Sequence, residues 1–372
     1  MSTEPALAAD DAFGADLYRL LSGQAPDAVF SPVSVASVLQ MALCGARGQT
    51  AAELAGALHL DGSPEGAAAA VRALPALAAS VTADGSVTFR APAALWVQSG
   101  LPLRPGFTAG LGQAVAEADF AGAPQQARAE INRVVAEQTE QKITGLLPSG
   151  TVDEKTRLVL TSAIYLKAGW AETFPERATA DAPFYPDGPD RPSRTVRMMH
   201  SAAARMYLRG DGYQAVLLPY RGGSLAMAVV LPDGPVAALG PALAAGGVAG
   251  LLAGTARYQV TLSLPRFRLE TALDLVPVLR QLGVRQAFTE HADFGGITEA
   301  VRLAINAVAH KAYIDVDELG TEAAAATAVG FRPTAAFRAP EPVTMTVDRP
   351  FLFAIVSGPA SLPLFLGQVS HP

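Results

Sequence analysis

Helical and strand patterns occupy different parts of this chain, and no linker-like stretch separates them. In the first 150 residues, apolar side chains recur at helical spacing, as at Phe13, Leu17 and Leu20. Later runs are short, rich in Val, Leu, Ile and Tyr, and closed by Pro or Gly, which indicates strands; residues 307–316 are an example. No repeat of fixed period interrupts this division. The pattern therefore favours one α+β domain over residues 1–372 rather than two independent units.

Composition excludes several classes of protein. Hydrophobic residues make up 50% of the 372 positions and charged residues 17%, which is unlike a disordered chain. The net charge of −6 argues against nucleic acid as a partner, because phosphate binding needs a basic surface. A single cysteine, Cys44, excludes an internal disulfide and a multi-cysteine metal site. Five histidines leave few ways to build a histidine metal centre, so we predict no metal site.

Two segments of the sequence bear on where in or outside the cell the protein is found. The N-terminal residues are acidic, with no basic start and no apolar core, so they do not form a secretory signal peptide. Residues 235–256 carry no charge, yet they are mostly Ala, Gly and Pro, which predicts a short helix with surface loops rather than a membrane span. We therefore expect a cytoplasmic protein, or a leaderless extracellular one, with no membrane partner.

Catalytic motifs are missing. The chain has no G-x-S-x-G, H-E-x-x-H, G-x-x-x-x-G-K-[ST] or G-x-G-x-x-G string, so we predict that it is not an enzyme. His310 stands between apolar residues, which is typical of a hydrogen-bonded core histidine rather than a general base. A hydrolase that uses Ser31 or Ser34 with His310 remains a hypothesis that ester turnover would test.

The segment 317–342 fits a stable core poorly. Between Thr321 and Val329 it consists almost entirely of small residues, so it offers little apolar area to bury. One interpretation is a flexible surface loop. The other is an extra strand, because small side chains without proline could enter an existing sheet and pair on both edges. At about 0.5–1.5 kcal/mol per hydrogen bond, a dozen bonds would release on the order of 10 kcal/mol. Such a protein could be kinetically trapped until the loop is cut.

A set of motifs along the chain resembles the serpin family nearly from end to end. The matching strings, in chain order, are Phe30-Ser31-Pro32-Val33-Ser34, Gly45-Ala46-Arg47-Gly48-Gln49-Thr50, Ile131-Asn132 to Leu147-Pro148, Ala163-Ile164-Tyr165-Leu166-Lys167-Ala168-Gly169-Trp170 with Phe174, Val196 with Met198-Met199, Leu218-Pro219-Tyr220, Leu231-Pro232, Leu264-Pro265-Arg266-Phe267, His310-Lys311-Ala312, Glu318 to Ala328, Arg349-Pro350-Phe351-Leu352-Phe353 and Leu364-Phe365-Leu366-Gly367. Any one of these strings is weak evidence, whereas the ordered set is specific.

The resemblance implies an α+β serpin fold with three β-sheets, about nine helices and an exposed reactive-centre loop at about 318–342. It also implies a monomeric suicide inhibitor of serine proteases that needs no cofactor. In that mechanism the protease cuts the loop and forms an acyl-enzyme, and the cut loop inserts into the main sheet. The alternative is a serpin-fold protein without inhibitory action, acting as a binding or chaperone-like module.

The resemblance also assigns roles to residues of this sequence. Glu318 and Gly320 lie at the pivot of the hinge. The residues implied to insert are Thr321, Glu322, Ala323, Ala324, Ala325, Ala326, Thr327 and Ala328. Period-two alternation would place Thr321, Ala323, Ala325 and Thr327 on one face. The small, uncharged Thr321 favours the inhibitory type.

Beneath the opening strands, Ser31, Ser34 and His310 match the family's "shutter", a hydrogen-bonding cluster, and Trp170 matches its "breach". Asn is common in the family where this chain has Ser162. The shorter side chain is expected to lose a bond to His310 or to leave it to water.

The position of the scissile bond follows from counting along the usual hinge length. This count gives Thr334–Ala335, where a small residue suggests an elastase-like or subtilisin-like target protease. Arg338–Ala339 is the alternative and would suggest a trypsin-like target, because arginine can pair with an acidic specificity pocket.

Overall fold

The computed structural model describes residues 4–188, 191–322, 342–358 and 361–372. Eight α-helices lie in these ranges: α1 (Glu4–Leu21), α2 (Pro32–Gly45), α3 (Gly48–Ala57), α4 (Pro64–Val81), α5 (Pro105–Leu111), α6 (Pro124–Gln138), α7 (Gly240–Leu252) and α8 (Val276–Gln281). Four 3₁₀ turns accompany them: Gly112–Ala114, Glu176–Ala178, Val236–Leu239 and Gln286–Phe288. The strands in the same ranges are β1 (Ala28–Phe30), β2 (Val87–Arg90), β3 (Ala93–Gln98), β4 (Val115–Ala118), β5 (Leu158–Gly169), β6 (Ala180–Phe184), β7 (Arg194–Arg209), β8 (Tyr213–Pro219), β9 (Leu225–Pro232), β10 (Ala256–Pro265), β11 (Phe267–Asp274), β12 (Ala307–Val316), β13 (Gly320–Thr321), β14 (Val343–Thr346), β15 (Phe351–Ser357) and β16 (Leu362–Val369).

In the described residues, the strands join into two sheets. One has nine strands in the order β1-β16-β15-β9-β8-β7-β10-β14, with β6 also paired to β7. The other has seven strands in the order β11-β12-β13-β5-β3-β4, with β2 also paired to β5. The predicted α+β fold is confirmed, but three separate sheets were expected. The difference arises because the 16-residue β7 pairs with β10 along most of its length and with β8 at its end, which joins two groups of strands into one sheet.

Helix α2 lies at the centre of the molecule. Ser31 caps it, accepting a hydrogen bond at its Oγ from the Ser34 N–H at 3.2 Å, and Pro32 takes the first helical position. Every residue of the helix except Cys44 is buried, as its nearly continuous apolar sequence predicts. The helix contacts both β5 and β16, so it packs against both sheets.

Helix α6 covers one face of the seven-stranded sheet. Its Ile131 and Val135 are buried against Tyr165 of β5 and Tyr313 of β12. The segment after α6 returns across the same face, where the Leu147 N–H donates to Asn132 Oδ1 at 2.8 Å and Asn132 Nδ2 donates to the Leu147 carbonyl at 3.0 Å. The predicted sheet-covering helix is therefore present, and it lies over the junction of β5 and β12.

The uncharged segment 235–256 forms the short helix α7, as predicted. A left-handed φ of 61° at Gly247 breaks the helix into two parts. Among the described residues, none of the helices has the length and apolar character needed to cross a bilayer.

Candidate functional site

The shutter residues meet at the middle of the seven-stranded sheet. Strands β5 and β12 run parallel there, and His310 pairs with Ser162 in the register. His310 Nδ1 lies 2.8 Å from Ser162 Oγ, and the Ser31 backbone N–H donates to His310 Nε2 at 3.1 Å. The imidazole therefore ties both sheet strands to the start of α2.

These contacts fix the protonation of the imidazole. A backbone N–H can only donate, so Nε2 must be the unprotonated nitrogen and Nδ1 carries the proton, which it donates to Ser162 Oγ. Complete burial lowers the pKa of His310 from its ordinary 6.5 to about 3. His310 is therefore neutral at physiological pH and acts as a structural bridge.

The other two serines are engaged away from the imidazole. Ser31 Oγ accepts from the Ser34 N–H, and Ser34 Oγ donates to the Ala163 carbonyl at 3.4 Å. Neither hydroxyl is thus placed as a nucleophile beside a base. The remaining reactive side chain, Cys44, has its pKa raised to about 11 by burial, so its thiol is protonated.

Ser162 does not leave His310 without a partner, contrary to the expectation from its short side chain. Because β5 and β12 are hydrogen-bonded neighbours at this point, the hydroxyl reaches Nδ1 directly. The bond depends on that adjacency, since a strand inserted between β5 and β12 would separate the two side chains.

Trp170 closes the end of the sheet nearest the hinge. Its ring is buried and stacks on Tyr220, with centroids 4.5 Å apart. Its Nε1 donates to the Asp317 carbonyl at 2.9 Å, and its backbone N–H donates to the Leu319 carbonyl at 2.8 Å. Trp170 therefore holds the chain as it leaves β12.

The hinge enters the sheet at this end. Strand β13 consists of only Gly320 and Thr321, which lie between β12 and β5 and pair with both strands. A Cβ at residue 320 would come within 2.1 Å of the Ala168 carbonyl, so only glycine fits there. The reactive-centre loop was expected to be exposed from about residue 318. This expectation is wrong for its first residues, because pairing on both edges buries Gly320 and Thr321.

Thr321 faces the core side of the sheet. Its side chain is completely buried, and its Oγ1 lies 2.5 Å from the Tyr220 hydroxyl. Burial raises the pKa of Tyr220, so this phenol stays protonated and can donate. Residue 321 is thus fully enclosed and its hydroxyl bonds to that of Tyr220, an arrangement that suits threonine.

Glu318 anchors the base of the hinge. Its buried carboxylate accepts from Arg266 Nε at 2.9 Å and from Nη2 at 2.7 Å, and Thr179 also donates to it. Burial alone would raise the pKa of Glu318, but these donors outweigh it and hold the pKa below its usual value. The Phe174 N–H binds the Glu318 carbonyl at 2.9 Å, so backbone and side chain are both fixed.

Sequence reasoning gave no role to the partners Tyr220 and Arg266. Both belong to motifs that marked the resemblance, so the signal was present in the sequence without its geometry. The other site residues lie outside the described residues and stay predictions: Ala323, Ala324, Ala325, Ala326, Thr327, Ala328, Thr334, Ala335, Arg338 and Ala339. Within the described part of the chain, His, Cys, Asp and Glu do not form a group of three or more able to hold a metal ion.

Comparisons with known proteins agree with this arrangement. The family described as Serpin (serine protease inhibitor) matches residues 8–372. A leukocyte elastase inhibitor of Sus scrofa is 37% identical over 98% of this chain and 99% of its own length. A serpin-like protein of Thermococcus kodakarensis is also 37% identical, over 99% of this chain and 86% of its own length.

A solved structure supports the same assignment. Serpin48 of the insect Tenebrio molitor, whose structure is described as that of a highly specific serpin, superposes with a TM-score of 0.86. The two sequences are 28% identical, and the alignment covers 100% of this chain and 99% of the insect protein. With the family match and the hinge geometry, these likenesses show that the chain belongs to the serpin family.

Proposed function

We propose that this protein inhibits serine-type endopeptidases as a suicide substrate. The protease serine attacks the carbonyl carbon of Thr334, the bond to Ala335 breaks, and the new amine leaves with a proton from the protease histidine. The acyl-enzyme remains attached to the loop. Insertion of residues 322 onward between β5 and β12 then moves the protease away from the hinge end, and distortion of its catalytic residues prevents hydrolysis of the ester.

The observation that supports this proposal most directly is that β13 already lies between β5 and β12. Beyond Thr321, the same two strands pair directly with each other along Ala307–Tyr313 and Val159–Tyr165. Strand β13 would thus be the start of the inserted strand. Beyond it, the single ladder of hydrogen bonds between β5 and β12 occupies the place that the inserted strand would take. A chain that continued from β13 would replace that ladder with two.

A single inserted strand could extend the pairing of β13 with β5 and its pairing with β12 at the same time. Gly320 and Thr321 face Gly169 and Ala168 of β5, so residues 322–331 would face β5 from Lys167 back to Leu158. Thr321 also faces Val316 of β12, and counting on both sides brings residue 327 opposite Ser162 and His310 at once. Since these two residues already face each other in β5 and β12, one added strand satisfies both registers.

The small residues of the hinge suit this path. The inward-facing position of Thr321 is closed tightly by Tyr220, and alternation sends Ala323 and Ala325 to the same side. The side chains of β5 and β12 on that side are buried in one apolar cluster with Tyr220, so large or charged side chains would be excluded. This argues for an inhibitory protein over the alternative of a binding or chaperone-like module with the same fold.

The test is incubation with pancreatic elastase, subtilisin and trypsin, followed by denaturing gel electrophoresis. We expect a detergent-resistant band at the summed mass of one inhibitor and one protease. Simple clipping of the chain by all three proteases, without that band, would contradict the proposal and favour the non-inhibitory alternative.

The same reaction identifies the target class. The leukocyte elastase inhibitor relatives and the small residue Thr334 support an elastase-like or subtilisin-like protease. Mass spectrometry of the released C-terminal peptide should give a fragment that begins at Ala335. A fragment that begins at Ala339 would assign the cut to Arg338 and the target to the trypsin-like class.

A further inference from the structure

Glu322 ends β13 with an unusual backbone conformation. Its φ is 47°, in the left-handed region that residues other than glycine rarely adopt. Its N–H still donates to the Asp315 carbonyl of β12 at 2.9 Å. The chain therefore pairs with the sheet up to the nitrogen of Glu322 and turns away at its Cα. Such a conformation persists only where neighbouring groups hold it.

The Glu322 side chain is held by a lysine from another element. Its Oε1 forms an ion pair with Lys142 Nζ, while its Oε2 is buried without a hydrogen-bond partner among the described residues. The Glu322 side chain is 16% exposed and that of Lys142 40%. A buried oxygen without a partner is unfavourable in itself, and the carboxylate also lies beside the Tyr165 phenol of β5, whose pKa is raised by burial and also by this carboxylate. Lys142 supplies the positive charge that pairs with the carboxylate in this position.

Lys142 is well placed to act as a fixed point. It follows α6, and its N–H donates to the Thr139 carbonyl at 2.9 Å. The Thr139 hydroxyl donates to the Val135 carbonyl at 2.7 Å and accepts from the Ile143 N–H at 3.3 Å. Lys142 Nζ also lies 5.9 Å from the centre of the Tyr313 ring on β12. The lysine therefore connects the covering segment, the sheet and the hinge.

We infer that Lys142 is a positioning residue that stops the hinge after two inserted residues. This inference rests on the proposed function, because it concerns when the loop enters the sheet. Continued insertion requires residue 322 to adopt an extended φ, opposite Lys167 and Asp315. That change carries the carboxylate away from its present position. The ion pair between Glu322 and Lys142 must therefore break before residue 323 can enter the sheet between β5 and β12. This ion pair lies on the face of the sheet that α6 covers.

The first test measures hydrogen exchange of the Glu322 amide in the uncut protein. Lys142→Met keeps the length of the side chain and removes its charge. We expect exchange to be about two- to fivefold faster, the range that a partly exposed ion pair supports. Lys142→Arg should restore the slow exchange of the parent. Lys155→Met, at an exposed lysine outside the hinge, serves as the matched control.

The second test measures insertion itself. The loop is cut by a protease that is not a serine protease, such as thermolysin, and the time course of the gain in heat resistance is followed. Lys142→Met and Glu322→Gln should each shorten this time by about two- to fivefold, and the double variant should be no faster than either single variant.

The outcomes separate the two proposals. Unchanged exchange in Lys142→Met overturns the role of Lys142, whatever the loop does. Faster exchange with an unchanged insertion rate also overturns it, because the ion pair would then not oppose insertion. A parent protein that gains no heat resistance after cutting contradicts the proposed function, and the exchange data then judge the contact of Lys142 with Glu322 separately.

Discussion

At the scale of single residues, the neutral state of His310 links the sheet to α2. Protonation would put a second N–H where Nε2 now accepts from Ser31, so it would break that bond as well as charge a buried ring. The folded pKa of about 3 lies below the ordinary value of 6.5, so the unfolded chain binds more protons between these limits. Stability therefore rises with pH across this range, is complete above about 6.5 and is lost as the pH falls.

His310→Gln tests this linkage, because an amide offers one acceptor and donors but no titration in this range. For the parent, lowering the pH from 7 to 5 should cost about 2 kcal/mol from this residue alone. That corresponds to a fall in melting temperature of about 3 °C. The variant should melt lower overall but lose this part of the pH dependence. Identical slopes for the two proteins would show that His310 is not the titrating group.

Thr321→Arg tests the inward-facing pocket. The residue is already buried beside Tyr220, so arginine should expel β13 from the sheet of the uncut protein and block later insertion. We expect the number of inhibitor molecules consumed per protease to rise at least about tenfold, since several kcal/mol oppose burial of the charge. Thr321→Ser is the control and should inhibit like the parent. An arginine variant with unchanged stoichiometry would refute the burial argument.

At this scale, the sequence motifs identify residues more readily than the contacts that those residues make. Motifs assign Ser31, Ser34 and His310 to one cluster and Trp170 to a separate one, and the structure brings the two serines and the imidazole together around the start of α2. The Ser162 contact was misjudged because side-chain length was considered without the spacing of two adjacent strands. Lys142 was missed because its partner is distant in the chain and no local pattern joins them.

At the scale of elements, the register of β13 predicts what the middle of an inserted strand would contact. Residue 327 would separate Ser162 from His310, so the Thr327 hydroxyl would have to replace their bond. Thr327→Val should lower the melting temperature of the cut protein by about 2–6 °C, the effect of one or two unpaired buried groups.

The uncut protein provides the internal reference for Thr327. There Ser162 bonds His310 directly, so the valine variant should melt with the parent before cutting, and Thr327→Ser should match the parent in both forms. Equal melting of the cut valine variant and the cut parent would place a different residue at the shutter.

Long elements were predictable, and short ones were not. Residues 307–316 read as a strand, and β12 has those bounds because its Val, Ala, Ile and Tyr side chains are buried on both faces. Strand β13 has only two residues, too few for any periodicity, and it exists because neighbours on both sides supply its partners. The count of sheets failed for a similar reason, since β7 changes partner along its length without a break in its sequence pattern.

At the scale of the whole molecule, the proposed mechanism requires the seven-stranded sheet to accept one more strand between β5 and β12. Adding residues 322–331 would replace one ladder with two, a gain on the order of 10 kcal/mol at about 1 kcal/mol per additional bond. Cutting the loop should therefore raise the melting temperature by about 13 °C. Calorimetry of cut and uncut samples measures this directly, and equal melting temperatures would exclude insertion.

The two tryptophans lie at separate points along the line between β5 and β12 that an inserted strand would follow. Trp170 stacks on Tyr220 beside β13, whereas the Trp96 Nε1 donates to Thr161 Oγ1 at 2.8 Å, next to the shutter. Two variants, each keeping one of these tryptophans, would thus report by changes in fluorescence when the inserting strand reaches each position. These changes can be recorded on the millisecond timescale. The delay between the two fluorescence changes would give the rate at which β5 separates from β12, without any label attached to the protein.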